Sequence, residues 1–169
     1  MNRIRPKHPR ILAIAPSTRG FGFAVLEGKE TLADWGARTI TRDKNTRSIA
    51  KVEELITHYQ PEVMVLQDHS TADSRRPVRI QVLSREIIDL APGHNVSVAL
   101  FSRKQIDRVF FADGKGTKHA RAEIIAGRFP DELGFQLPPE RRAWMKEDAR
   151  MDIFDAVALA LMLRVRRLW

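Results

Sequence analysis

Two aspartates near the end of the chain carry the clearest chemical signal. Asp152 and Asp155 are three residues apart, so on a helix they share one face, and Asp148 lies about one turn earlier. Carboxylates grouped beside a buried helix repel one another unless they are solvated, hydrogen-bonded or bound to a hard cation such as Mg²⁺. The spacing therefore indicates either a metal site or, with Glu147, acids that complement the positive end of a helix dipole.

Two groups of basic side chains are placed where they could contact phosphates. The first group is Arg75, Arg76 and Arg79, and the second is Lys115, Lys118, His119 and Arg121. The second group surrounds the start of a predicted helix, where backbone amides strengthen phosphate attraction. The first group is also compatible with an ordinary solvated loop. His119 has two interpretations, a water-activating base or a neutral surface histidine.

The composition favours a polyanionic partner. The 169-residue chain has 29 Lys and Arg against 21 Asp and Glu, a net charge of +8, and this surplus favours nucleic acid through phosphate neutralisation. The chain has no cysteine, which excludes disulfides and thiolate metal sites and is compatible with a reducing cytoplasm. No apolar run approaches the roughly 18 residues that span a bilayer. We therefore expect a cytoplasmic protein that does not contact a membrane.

The first forty residues indicate an antiparallel meander. Residues 11–15 and 21–26 are apolar runs joined by the turn residues 16–20, and residues 31–40 form a plausible third strand after Gly28. The segment before them is rich in arginine and lysine. We expect residues 1–9 to be a basic, flexible tail.

Helices and strands alternate after the meander. Strands are predicted over residues 63–66 and 95–101, and helices over 45–59, 78–90, from Ser102, from Thr117, and over 150–166. Asn45, Thr46 or Ser48 is available to cap the first helix, and Ser102 with Gln105 forms a capping box. The order predicts a single α/β domain over residues 1–169, with a five-stranded mixed sheet flanked by helices.

Several segments resemble the RuvC-like Holliday junction resolvases. Residues 11–19 and 21–25, ILAIAPSTR and FGFAV, are similar to the opening hairpin of that family, whose first strand ends in Asp-Pro-Gly. Residues 60–68 resemble the strand that bears a catalytic Glu, and residues 152–160, DIFDAVALA, resemble the terminal Asp-x-x-Asp-Ala helix. Residues 114–121 resemble the loop that bears a basic catalytic or DNA-contacting residue, at the position of Lys118.

The resemblance implies both a fold and a chemistry. It implies a ribonuclease-H-like domain, usually a homodimer, that acts on four-way DNA junctions. Two Mg²⁺ ions, with Mn²⁺ as a substitute, would bridge the scissile phosphate and activate water for in-line attack. The implied catalytic and metal-binding set includes Asp152 and Asp155, together with the carboxylates at two further positions.

At those two positions this chain departs from the family pattern. Ala15 stands where the resemblance places the first Asp, and a methyl group offers no lone pair to a metal. Gln67 occupies the second carboxylate position, where its amide is a weaker, neutral ligand. Asp68 is the next residue and could replace it through a bulge, although strict alternation points it to the opposite face. Ala15 has two explanations, an inactivating substitution or natural divergence.

The leading hypothesis is a metal-dependent endonuclease for branched DNA that Ala15 inactivates or impairs. The main alternative is a non-catalytic protein that binds branched nucleic acid through shape and phosphate contacts. An RNA-directed nuclease and an actin-like ATPase are further alternatives with related folds. The chain is short for the paired lobes of the ATPases and lacks their second glycine-rich phosphate loop.

Overall fold

A mixed sheet of five strands organises the protein, as predicted. The computed structural model describes residues 7–70 and 75–169. The strands are β1 (Ile11–Pro16), β2 (Gly20–Glu27), β3 (Thr31–Thr39), β4 (Val63–Gln67) and β5 (Ser97–Phe101). Their order in the sheet is β3-β2-β1-β4-β5. The β1–β2 and β2–β3 pairs are antiparallel, whereas β1–β4 and β4–β5 are parallel.

Helices cover both faces of this sheet. They are α1 (Lys44–Tyr59), α2 (Val78–Leu90), α3 (Arg103–Phe110), α4 (Lys118–Arg128), the single turn α5 (Pro130–Leu133) and α6 (Met151–Leu161). Short 3-10 turns occupy Pro92–His94 and Gly134–Gln136. The predicted capping box at Ser102 is confirmed, because its side chain accepts from the Gln105 amide and the Gln105 side chain accepts from the Ser102 amide.

The alternation of side chains along β1 separates two cores. Ile11, Ala13 and Ala15 belong to the core that contains α6, whereas Leu12 and Ile14 pack with α1 and α2. Strand β4 follows the same rule, with its odd-numbered positions on the α6 side. The last residues of β1 and β4 on that face therefore lie together at the carboxyl ends of these parallel strands, next to the start of α6.

A glycine lets α6 approach the sheet closely. Gly22 lies opposite Ala15 in the β1–β2 pair, and a Cβ atom on Gly22 would stand 1.9 Å from the backbone oxygen of Asp152. Only a residue without a side chain fits between this strand and the first turn of α6. The contact fixes the height of Asp152 above the sheet.

Two sequence-based predictions about helix ends are wrong. Helix α6 ends at Leu161, not at Arg166, because the chain turns back and the Leu168 amide donates to the Val109 carbonyl on α3 at 2.7 Å. Helix α1 begins at Lys44 without a side-chain cap. Asn45 donates instead to the Arg79 carbonyl. Of the predicted basic tail, residues 1–6 lie outside the described residues.

We expect Gly22→Ala to destabilise the protein because the new methyl group collides with the backbone at Asp152. Overpacking of this kind costs about 1–3 kcal/mol in the free energy of unfolding. Urea unfolding followed by circular dichroism would measure it. Gly127→Ala is the matched control: Gly127 lies in α4 with nothing within 4 Å of its added Cβ, so alanine there should stabilise the protein by about 0.5–1 kcal/mol. Equal effects at both sites would contradict the close approach.

Candidate active site

A basic cleft of about 790 Å³ opens at the carboxyl ends of β1 and β4. It brings together most of the predicted site residues, namely Ala15, Gln67, Arg75, Arg76, Lys115, Lys118, Arg121 and Asp155. Three residues of α3 also line it, namely Arg103, Lys104 and Asp107. The cleft therefore combines carboxylates at its base with a basic lining.

Asp152 lies beneath the cleft as a buried charge. It is 2% exposed, and its two carboxylate oxygens accept hydrogen bonds from Ser17 Oγ at 2.7 Å and Arg19 Nη2 at 2.6 Å. Burial raises the pKa of the Asp152 carboxyl, and the Arg19 and Ser17 hydrogen bonds oppose that rise. The β1–β2 turn thus supplies both partners that make the buried carboxylate tolerable.

Asp155 lies one turn further along α6 and is held by two cations. Lys118 Nζ is 3.1 Å from Asp155 Oδ2, and Arg121 Nη2 is 3.5 Å from Asp155 Oδ1. Lys118 also contacts Glu147 Oε1 at 3.2 Å, and Arg121 contacts Asp107 Oδ1 at 3.1 Å. The amino-terminal turn of α4 therefore neutralises the acids of α6 and of the segments beside it.

Three carboxylates are close enough to share one cation. Ligand atoms of Glu147, Asp152 and Asp155 lie within 4.8 Å of one another. Their oxygen donors suit a single hard divalent ion completed by water. No such donor reaches the group from Ala15, whose methyl carries no lone pair. The donor set consequently fits one Mg²⁺ or Mn²⁺ ion better than the pair of ions that the resemblance implies, and Arg19 and Lys118 compete for the same oxygens.

Gln67 and Asp68 lie in different surroundings. Gln67 lines the cleft, as Ala15 does. Asp68 follows the end of β4, and its Oδ1 atom accepts from the Ser70 amide at 2.9 Å and from the Ser70 hydroxyl at 2.6 Å. These hydrogen bonds lower the pKa of the Asp68 carboxyl. Among the described residues, the group that could share a cation does not include Asp68.

The predicted phosphate contacts separate into exposed and internal residues. Arg75 and Lys115 are exposed at the cleft, and Arg76 is half-buried there. Arg79 instead donates to Asn45 Oδ1 at 3.0 Å and to the Ser17 carbonyl at 3.4 Å, so it braces the β1–β2 turn. Arg121 is 9% exposed.

His119 does not line the cleft and braces the segment before α6. Its two ring nitrogens lie 2.8 Å from Glu123 Oε1 and 2.9 Å from the Pro138 carbonyl oxygen. Pro138 belongs to the chain that leads to Glu147, so this contact joins α4 to that chain.

Sequence reasoning gave no site role to Ser17, Arg19, Asp107 or Glu147. Ser17 and Arg19 lie in the turn after β1, and a hairpin turn next to a predicted site was the available signal for them. Glu147 was explained by the helix dipole alone. Asp107 carried no signal, because its pairing with Arg121 depends on how α3 packs against α4.

Comparison with solved structures identifies the fold. The Thermus thermophilus RuvC structure is similar with a TM-score of 0.66 and 19% identity, over 90% of this chain and 92% of that chain. The same protein in complex with a Holliday junction substrate gives 0.64 and 16%, over 90% of each chain. The yeast mitochondrial Holliday junction resolvase gives 0.63 and 15%, over 96% of this chain and 80% of that one. No protein-family model and no curated protein matches the chain.

These similarities establish a RuvC-like, ribonuclease-H-like fold, as the resemblance of the motifs implied. At such low identities they describe the backbone and leave the chemistry to the side chains. Within residues 7–70 and 75–169, no helix has both the length and the apolar character needed to cross a membrane.

Asp148 is not part of the carboxylate group, and its ion pair with Arg150 should produce an acid-sensitive contribution to stability. Arg150 binds both its oxygens, at 3.0 and 2.8 Å, and lowers the pKa of the Asp148 carboxyl to about 2. Because this folded-state pKa lies below the unfolded value, the stabilisation is complete above about pH 5 and is lost as the pH falls toward 2.

We therefore expect Asp148→Asn to cost about 0.5 kcal/mol at neutral pH, a small effect because the pair is solvent-exposed. The difference from the unaltered protein should shrink as the pH falls from 5 to 3, measured by urea unfolding. Arg150→Gln should remove the same pH dependence. A difference that does not change with pH would contradict this account.

Proposed function

We propose that this protein binds four-way or otherwise branched DNA in the basic cleft, and that its hydrolysis of phosphodiesters is impaired. The observation that carries the proposal is the pairing of the site's acids with the protein's own cations, around a position, Ala15, that offers no ligand. Support for the DNA comes from the basic lining and from similar folds, one of which was solved with a Holliday junction substrate.

Phosphates would be bound mainly by the exposed cations of the cleft. Arg75 and Lys115 can reach a backbone phosphate without leaving a carboxylate partner in the described structure, and the amino terminus of α4 adds its backbone amides. Lys118 could bridge a phosphate and Asp155. Such contacts read the path of the DNA backbone, so selectivity for a branch would come from shape.

Hydrolysis by two metals requires ligands that this chain lacks. In that mechanism one ion activates the attacking water while the other stabilises the leaving oxygen, and a carboxylate cluster must hold both ions. Ala15 offers nothing to this cluster, and Gln67 offers a neutral amide. Any ion entering the site must also displace Arg19 or Lys118 from its carboxylate.

A weak one-metal endonuclease is the second candidate. The observation that favours it is the grouping of Glu147, Asp152 and Asp155 within 4.8 Å. A single Mg²⁺ or Mn²⁺ ion there would supply Lewis-acid stabilisation of charge on the phosphate. Lys118 would orient the phosphate, and Arg19 would position Asp152.

Two further parts of the proposal are a homodimer, which the resemblance implies, and a cytoplasmic location, which the composition suggests. A homodimer would match the two-fold symmetry of a four-way junction. A cytoplasmic location is compatible with the absence of cysteine from the chain.

The direct test is cleavage of an end-labelled, mobile four-way junction in Mg²⁺ or Mn²⁺. We expect the unaltered protein to bind the junction without cutting it, and Ala15→Asp with Gln67→Glu to cut it, because the pair restores two ligands at the cleft. An increase of at least about 100-fold over the unaltered protein would correspond to about 2.7 kcal/mol of barrier.

Linear duplex of the same sequence and the further substitution Asp155→Asn in the cutting variant are the controls. Cleavage by the unaltered protein that Glu147→Gln abolishes would instead favour the one-metal candidate. Junction binding no tighter than duplex binding would refute the proposed selectivity.

The dependence of binding on salt should identify the residues that neutralise phosphates. Each phosphate contact contributes about 0.9 to the slope of log K against log salt concentration. We expect Arg75→Ala and Lys115→Ala each to reduce the slope by about that amount, measured by fluorescence anisotropy. Arg85→Ala removes an exposed arginine of α2 that does not line the cleft, and it should leave the slope unchanged. Equal changes for all three variants would indicate a general charge effect instead of a defined DNA path.

A further inference from the structure

An exposed tryptophan stands on a turn beside the cleft. The Met145 amide donates to the Arg142 carbonyl at 2.9 Å, which closes a four-residue turn with Trp144 as its third residue. Trp144 is 79% exposed, an unusual position for so large an apolar ring. Met145 and Pro138 line a cavity of about 510 Å³ beside this turn, whereas Trp144 does not line it. Trp144 is therefore not explained by packing against that cavity.

The turn is held in place at both ends by the candidate site. On one side the Pro138 carbonyl contacts His119, and on the other Glu147 contacts Lys118 and Arg19. Trp144 is three residues from Glu147, so their Cα atoms lie within about 11 Å of each other. At about 3.4 Å per base step along a strand, this distance corresponds to about three nucleotides.

The charge around Trp144 separates it from the other exposed aromatic side chains. Arg141, Arg142 and Lys146 flank it, and all three are exposed, as is Glu140. The other nearby acids, Glu147 and Asp148, are already paired with Lys118 and Arg150. Phe135 is 93% exposed, but it has Asp131 and Glu132 nearby and no Lys or Arg within four residues of the chain. Trp169 already has partners, because its indole donates to the Arg108 carbonyl and Arg167 lies over its ring.

We propose that Trp144 stacks on a nucleobase that is unstacked at the branch point of the DNA, while Arg141, Arg142 and Lys146 hold the adjoining phosphates. An indole face stacks on any base, and neighbouring cations bind the backbone that carries it. This inference rests on the proposed function and extends it, since it adds to the shape-dependent phosphate contacts a side chain that distinguishes a branch from a continuous duplex. A fully stacked duplex offers no free base face to Trp144.

The test uses a four-way junction with 2-aminopurine, a fluorescent base, at the branch point, and a second junction labelled in the middle of an arm. We expect Trp144→Ala to bind the junction about tenfold more weakly and to abolish the fluorescence change at the branch point. Trp144→Phe should retain most of both effects because it keeps an aromatic face. The salt slope should not change, since stacking neutralises no phosphate.

Phe135→Ala is the matched control. It removes an exposed aromatic ring that has acidic neighbours, and it should have no effect. The inference is overturned if Trp144→Ala binds within about twofold of the unaltered protein, or if Phe135→Ala causes an equal loss. It is also overturned if Trp144→Ala changes only the sedimentation coefficient, because Trp144 would then contact a second copy of the chain. If the unaltered protein does not prefer junctions to duplex, the proposed function fails separately. In that case the same variants are tested on a duplex with a single-stranded gap. Equal affinities of the unaltered protein and Trp144→Ala for this DNA would overturn the stacking inference.

Discussion

The burial of the Asp152 carboxylate is the constraint on which the rest of the site depends. Helix α6 approaches the sheet so closely that only glycine fits at position 22, and this approach takes Asp152 out of water. An isolated charge there would cost several kcal/mol, so the structure must supply donors. Ser17 and Arg19 supply them from the β1–β2 turn. Arg79 of α2 braces that turn by donating to the Ser17 carbonyl. The contacts among β1, β2, α2 and α6 at this point are therefore connected through one buried charge.

The same cations that stabilise the free protein limit its chemistry. Lys118 and Arg19 occupy oxygens that a divalent ion would need, and a phosphate entering the cleft would compete with those carboxylates for Lys118. Binding of DNA and release of the acids are therefore linked, because both draw on one set of ion pairs. In a site of this kind the affinity for phosphate and the affinity for metal are not independent properties.

The sequence predicted the sheet and the shared face better than it predicted the individual contacts. The three-residue spacing was enough to place Asp152 and Asp155 on one face of α6, because this is a local periodicity. The resemblance to the resolvases, and not periodicity, placed Ala15 at the same site. The partners of Arg19 and Asp107 were not predictable, since Arg19 pairs with Asp152, 133 residues away, and Asp107 pairs with Arg121 on the next helix. The early end of α6 had a similar cause: the Leu168 amide finds the Val109 carbonyl only after α3 and α6 have packed.

The charge balance of the site explains why its acids need no metal in the free protein. Four carboxylates, on Asp107, Glu147, Asp152 and Asp155, are paired with four cations, on Arg19, Arg103, Lys118 and Arg121. The network is therefore formally neutral without any ion from solution. Carboxylates at positions 15 and 67 would add two negative charges, which a bound metal ion would balance directly. The missing ligand at position 15 and the pairing of the remaining acids therefore act in the same direction, since each lowers the affinity of the site for a divalent ion.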